Sequence, residues 1–285
     1  MATELHETAL EIPLGRMTAL RGGTRGAPRV LALHGWLDNA ASFVPLARHL
    51  DGIDLVAVDL PGHGHSTHLP QGVAYTFELA VLHALDIADA LGWDTFALLG
   101  HSMGAGISSL VAASCPERIT RLVCIEALGG LAEAPGNTAS RMRESVAATR
   151  ALASKSLRTF PSLEPAIQAR MKANQLSGPT ARLLVERGVQ PVDGGWQWSS
   201  DPRLTVPTWL RPVDAQIEDV LRGIACPATV VFADPAQPYL PDDVRRRYAV
   251  CLPKGELHVL PGTHHLHMEM PGEVAALFAS ALAAG

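Results

Sequence analysis

The clearest chemistry in the sequence lies in Gly100-His101-Ser102-Met103-Gly104, a G-x-S-x-G stretch joining an apolar run at 95–99 to a run of small residues at 105–114. A serine on a sharp strand-to-helix turn is pushed out of the fold, where its hydroxyl can attack. Its strained backbone leaves no room for a Cβ two residues to either side, so Gly100 and Gly104 fit there. The helix that follows opens with free N–H groups, beginning with that of Met103, directed at negative charge developing near Ser102. Those features suit acyl transfer. A serine hydroxyl also needs a base, and a carboxylate to orient that base. The segment 261–271 offers His264, His265 and His267, while Glu126 and Asp234 each end an apolar run.

These residues must be positioned by the surrounding pattern. Apolar runs at 29–33, 55–58, 95–99, 121–125, 228–232 and 256–260 read as strands, and 42–50, 75–91, 105–114 and 242–250 read as helices between them. Such alternation predicts an α/β fold with a mostly parallel central sheet flanked by helices. The polar turns 34–40 and 59–66 follow strand ends on the same edge as Ser102, the edge where open α/β sheets bind ligands. Residues 5–20, broken by Pro13 and Gly15, predict one or two edge strands. After Gly129-Gly130 the pattern becomes helical and more charged, with candidate helices at 138–154, 162–175 and 180–188 and a stretch rich in proline and tryptophan to Val213. The expected organisation is a core over 1–128, a helical lid inserted at 129–214, and the rest of the core over 215–285. Trp196, Trp198, Trp209 and Leu210 are candidates for an acyl pocket, and Met142 and Met171 for lid core.

With 285 residues, 47% hydrophobic and 18% charged, the chain can bury a large core. A net charge of −5, without a basic block, gives no footprint for nucleic acid or an acidic membrane surface. No run approaches the roughly 20 apolar residues of a membrane span, and the first residues lack a basic and apolar leader, so a soluble cytoplasmic protein is expected. Cys115, Cys124, Cys226 and Cys251 lie far apart and read as reduced, mostly buried packing residues.

His34-Gly35-Trp36, Asp59-Leu60-Pro61-Gly62-His63-Gly64 and Gly100-His101-Ser102-Met103-Gly104, in this order with helical spacers, resemble the α/β-hydrolase superfamily. His34-Gly35-Trp36-Leu37-Asp38-Asn39-Ala40, together with Asp201-Pro202-Arg203-Leu204, is similar to its serine hydrolase-like branch of ester hydrolases. The resemblance covers about 29–128 and 228 to the C-terminus. It implies an α/β-hydrolase fold and a second oxyanion donor from the loop after the first parallel strand, here the backbone N–H of Trp36 beside that of Met103. His34 and Gly35 would shape that turn, and Asp59 and His63 would serve turn structure.

The superfamily pattern G-H-x-x-H before a proline, counted back from Pro271, puts His264 in the base position, with His265 as the alternative and His267 as a structural or pocket residue; Thr263 stands where the glycine is usual. Most relatives place the acid a few residues past the strand that ends here at Phe232, where this chain has Ala236 and Gln237 and only an early Asp234. Some branches place it after the strand before the lid, which favours Glu126. The expected activity is hydrolysis of a small carboxylic ester through an acyl-enzyme, with no metal or organic cofactor. Thioester, C–C or peptide hydrolysis and perhydrolysis on the same residues remain alternatives, as does a silent hydrolase-like protein that binds a ligand.

Overall fold

Two antiparallel strands, β1 (His6–Ile12) and β2 (Gly15–Gly23), lead into an otherwise parallel sheet. The chain continues through β3 (Arg29–Leu33), α1 (Val44–Ala47), β4 (Asp54–Val58), α2 (Phe77–Ala90), β5 (Phe96–His101), α3 (Met103–Ser114) and β6 (Ile119–Ile125). It then leaves the sheet for α4 (Thr138–Leu152), α5 (Leu163–Asn174), α6 (Gly178–Gly188) and a hairpin of β7 (Val189–Val192) and β8 (Gly195–Trp198). Helix α7 (Asp214–Arg222) brings it back to β9 (Ala228–Asp234), α8 (Asp242–Val250), β10 (Gly255–Pro261), α9 (Leu266–Glu269) and α10 (Pro271–Ala283). This computed structural model describes residues 3–152 and 157–283; the end of the helix expected over 138–154 lies outside the described residues.

The eight strands run in the order β1-β2-β4-β3-β5-β6-β9-β10. β2 pairs antiparallel with β4, and every later neighbour is parallel. The inner strands β4 and β5 are buried on both faces, as a sheet covered by helices on both sides requires, whereas the edge strands β1 and β10 are largely exposed. Along β3, Leu31 and Leu33 enter the core beneath α2, α3, α7 and α8, while Val30 and Ala32 enter the opposite core with Phe43, Leu46 and Phe278. The parallel strands end on one edge, which brings the turns after β3, β4, β5, β6, β9 and β10 together.

Three local expectations need correction. The helix expected over 42–50 is a 3-10 turn, Ala40–Phe43, followed by the single turn of α1, because Pro45 cannot donate into a continuing helix and instead opens a new one. The tryptophan-rich stretch contains the β7–β8 hairpin, whose turn is Asp193-Gly194, with Gly194 at φ 82°. That Asp-Gly pair is the sequence signal for such a turn. Met142 is exposed rather than core, whereas Met171 packs on the cluster of Phe160, Ile167, Leu184 and Val185. Among the described residues no helix is long and apolar enough to cross a membrane.

Candidate active site

Ser102 sits between β5 and α3 at φ 51°, ψ −116°, a conformation that costs about 1–3 kcal/mol in a non-glycine residue. The close packing around this turn explains its glycines. A Cβ on Gly104 would lie 1.9 Å from the carbonyl oxygen of Leu33, and one on Gly100 would lie 2.4 Å from Ala105 Cα. The Ser102 N–H is tied to Ile125 O at 2.8 Å, so the turn is pinned to the neighbouring strand.

His264, on the loop after β10, has Nε2 2.9 Å from Ser102 Oγ and Nδ1 2.9 Å from Glu126 Oε2. A carboxylate can only accept, so Nδ1 carries the proton and Nε2 presents its lone pair to the serine hydroxyl. Glu126 is the first residue past β6, at φ 60°, with its N–H on Val231 O at 2.9 Å and its Oε1 accepting the Ala233 N–H. It is fully buried. Asp234 is exposed at the end of β9, and among the described residues its carboxylate has no bond to His264. Of the two candidate acids, the geometry joins Glu126 to the histidine.

Among the described residues, no protein acceptor takes the backbone N–H of Trp36 or of Met103. The loop that carries Trp36 is clasped to the loop after β4. His34 Nε2 accepts the Leu60 N–H at 3.0 Å, and in return His63 Nε2 accepts the Leu37 N–H at 3.3 Å. Their Nδ1 atoms face Gly35 O at 2.7 Å and Pro61 O at 3.1 Å, which fixes both rings as neutral Nδ1–H tautomers. Burial drives their pKa values down, to about 4 for His34 and about 3 for His63. Asp59 completes the clasp by accepting the N–H groups of Ala40 and His65. The Trp36 indole is half exposed and donates to Leu204 O at 2.9 Å.

The other two histidines lie beneath this site. His265 donates from Nε2 to Asp38 Oδ2 at 3.1 Å, and His267 is fully buried with its ring centroid 4.1 Å from that of His101. His101, in turn, donates from Nε2 to the carbonyl of His264 at 2.9 Å. Asp38, His101 and His265 hold ligand-type atoms within 4.8 Å of one another, a donor set suited in kind to a transition metal. However, Asp38 is already bound by His265 on one oxygen and by the Arg170 guanidinium on the other, at 2.5 Å. Only His101 of the three reaches the His264 backbone; its Nδ1 lies 3.7 Å from Asp38 Oδ2 and has no hydrogen-bond partner among the described residues. Asp38, His101 and Arg170 were absent from the sequence-derived site; Asp38 lies in the H-G-W-L-D run, but its partners are distant in sequence.

Trp196 and Trp198 pack on the core of the inserted helices, Trp198 edge-on to Phe160. Trp209 is half exposed and borders an open apolar groove of about 320 Å³ with Met142 and Val146 on α4.

Residues 28–186 match the family described as alpha/beta hydrolase fold. The chain belongs to that family. Within the α/β-hydrolases it falls in the serine hydrolase-like branch: a serine hydrolase-like protein of Dictyostelium discoideum is 30% identical over 87% of this chain and 73% of its own length. Among solved structures, a hypothetical protein from Pseudomonas aeruginosa PAO1 is 39% identical with a TM-score of 0.91, covering 97% of this chain and 99% of that one. The thioesterase domain from the curacin biosynthetic pathway is 25% identical with a TM-score of 0.79, covering 98% of this chain and 99% of that domain.

Proposed function

We propose that this α/β-hydrolase is a serine esterase that cleaves a small carboxylic ester through an acyl-enzyme. The observation that carries the reading is the continuous relay from Ser102 Oγ to His264 Nε2, and from His264 Nδ1 to Glu126 Oε2, each step 2.9 Å. Ser102 attacks the ester carbonyl while its proton passes to His264, and the imidazolium formed is stabilised by Glu126. The oxyanion is held by the backbone N–H groups of Met103 and Trp36. His264 returns the proton to the leaving alcohol, and water then repeats the cycle on the acylated serine. These steps use only side chains and backbone of this chain. The inserted segment 129–214 acts in this reading as a cap over the acyl site, bolted to the core through Arg170 and Arg187.

Stopped-flow release of p-nitrophenol from acetate, butyrate and octanoate esters tests the proposal. The expected result is a burst equal to the enzyme concentration, absent in Ser102→Ala. A thioester run in parallel separates ester from thioester preference, the alternative suggested by the likeness to the curacin thioesterase domain. Equal slow rates for wild type and Ser102→Ala on all substrates, with no fluorophosphonate labelling of Ser102, would instead favour a silent ligand-binding protein.

A further inference from the structure

Arg245 on α8 is only 2% exposed, and a guanidinium that far from water must find compensating partners. Its Nε donates to Leu240 O at 2.8 Å and its Nη1 to Ala233 O at 2.6 Å, and its plane lies over the Phe232 ring with the central carbon 4.4 Å from the centroid. Those contacts satisfy hydrogen bonds and supply a π-face but bring no negative charge. The remaining nitrogen, Nη2, is buried and has no hydrogen-bond partner among the described residues, and it lies 3.8 Å from Glu126 Oε1. A second carboxylate, Asp242, is 3.9 Å from Nη1, but it is more than half exposed, so water screens it. The buried cation therefore faces the buried anion of the relay. Both also grip one residue: Ala233 gives its N–H to Glu126 and its carbonyl to Arg245.

We propose that Arg245 is a positioning residue for the relay, a buried counter-cation that faces the Glu126 side chain and locks the end of β9 so that Oε2 points at His264. The inference rests on the esterase reading above and extends it to a residue that touches no substrate. It also accounts for an acid located past β6. A carboxylate there lies buried past β6, and Arg245 places a fixed positive charge 3.8 Å behind it. The groups facing Glu126 are His264 from the loop after β10, the Ala233 N–H from β9, Arg245 from α8, and the Tyr239 phenol, whose oxygen is 3.4 Å from His264 Nδ1 and whose pKa burial raises, so it stays neutral.

The test compares Arg245→Gln and Arg245→Lys with wild type on p-nitrophenyl butyrate, measuring kcat and KM from pH 4 to 9 alongside urea unfolding midpoints. Losing a positive charge next to the Glu126–His264 pair favours proton uptake by that pair. Arg245→Gln should therefore lower kcat at least about tenfold with KM little changed, and move the acidic limb of kcat/KM to higher pH. Arg245→Lys, which keeps the charge but not the fork, should restore most of the rate and the wild-type limb. If both variants lose urea stability alike and the pH profile keeps its shape, Arg245 is only a packing residue and the inference is overturned. Wild type that is itself inactive and unlabelled by fluorophosphonate removes the esterase reading, and this inference falls with it.

Discussion

Glu126 is the residue on which the two possible acids are separated most sharply. Its Oε2 is bonded to His264 while the Asp234 carboxylate is exposed at a strand end. Glu126→Gln should lower kcat by about 10³–10⁴, the scale seen when a relay carboxylate is neutralised, while Asp234→Asn should leave kcat close to wild type. Steady-state ester kinetics on the two variants checks this, and the reverse ranking would move the acid to Asp234. Gly104 provides a second test at this scale. A Cβ there meets the Leu33 carbonyl at 1.9 Å, and backbone cannot swing aside as a flexible side chain can. Gly104→Ala should cost more than about 3 kcal/mol, read from urea midpoints, or fail to fold. Ser102 and its glycines were legible because their spacing is dictated by one local turn. Glu126 was only half legible, since a carboxylate at a strand end looks the same in sequence whether or not a histidine arrives from elsewhere.

The element that most constrains the Trp36 backbone N–H, proposed above as an oxyanion donor, is the pair of loops after β3 and β4, zipped by His34 and His63. Each ring accepts a backbone N–H from the opposite loop, so protonating either one removes an acceptor and buries a charge. Their folded-state pKa values, about 4 and about 3, lie below the ordinary value of 6.5. As pH falls below 6.5 the unfolded chain takes up these protons first, so the unfolded state binds more protons and stability drops with pH until the folded rings also titrate. Above 6.5 the pair adds no pH dependence. Over its full shift His34 contributes roughly 3 kcal/mol to this loss and His63 roughly 5 kcal/mol, of which about 2 kcal/mol per ring is lost by pH 5. Urea unfolding at pH 7.5 and pH 5 should show a large drop for wild type and a smaller one for His63→Gln, whose amide oxygen still accepts the Leu37 N–H without titrating. An equal drop in both proteins would mean that His63 is not held neutral by the fold. The sequence marked these loops as tight turns from Pro61, Gly62 and Gly64, but reciprocal capture of N–H groups by rings 26 residues away is a tertiary fact that no local spacing encodes.

At the scale of the whole molecule, the doubly covered sheet was legible because apolar runs alternating with amphipathic helices have few other solutions. How the inserted segment docks was not, since it depends on bonds between residues distant in sequence, among them those of Asn39 to Leu184 O and Glu269 to Thr180 and those of two arginines that read in sequence as ordinary charged helix positions. Arg170 on α5 reaches Asp38 and the carbonyl of Leu37, beside the loop that presents Trp36. Arg187 on α6 holds Asp59 through Nε at 3.0 Å and Nη2 at 2.9 Å, and Glu7 through Nη1 at 2.7 Å, so α6, the β4 loop and β1 share one guanidinium. Asp59 is fully buried, and removing its cation leaves an uncompensated carboxylate in the interior. Arg187→Met should cost about 3–5 kcal/mol. Replacing both partners relieves that burden, so Arg187→Met with Asp59→Asn should be less destabilised than the sum of the two single variants. Urea unfolding of all four proteins closes the cycle. A coupling energy near zero would show that Arg187 and Asp59 act independently, and that the inserted segment is fastened to the core by its other contacts, such as the packing of Met268 and the bond of Asn39 to Leu184 O, rather than by this ion pair.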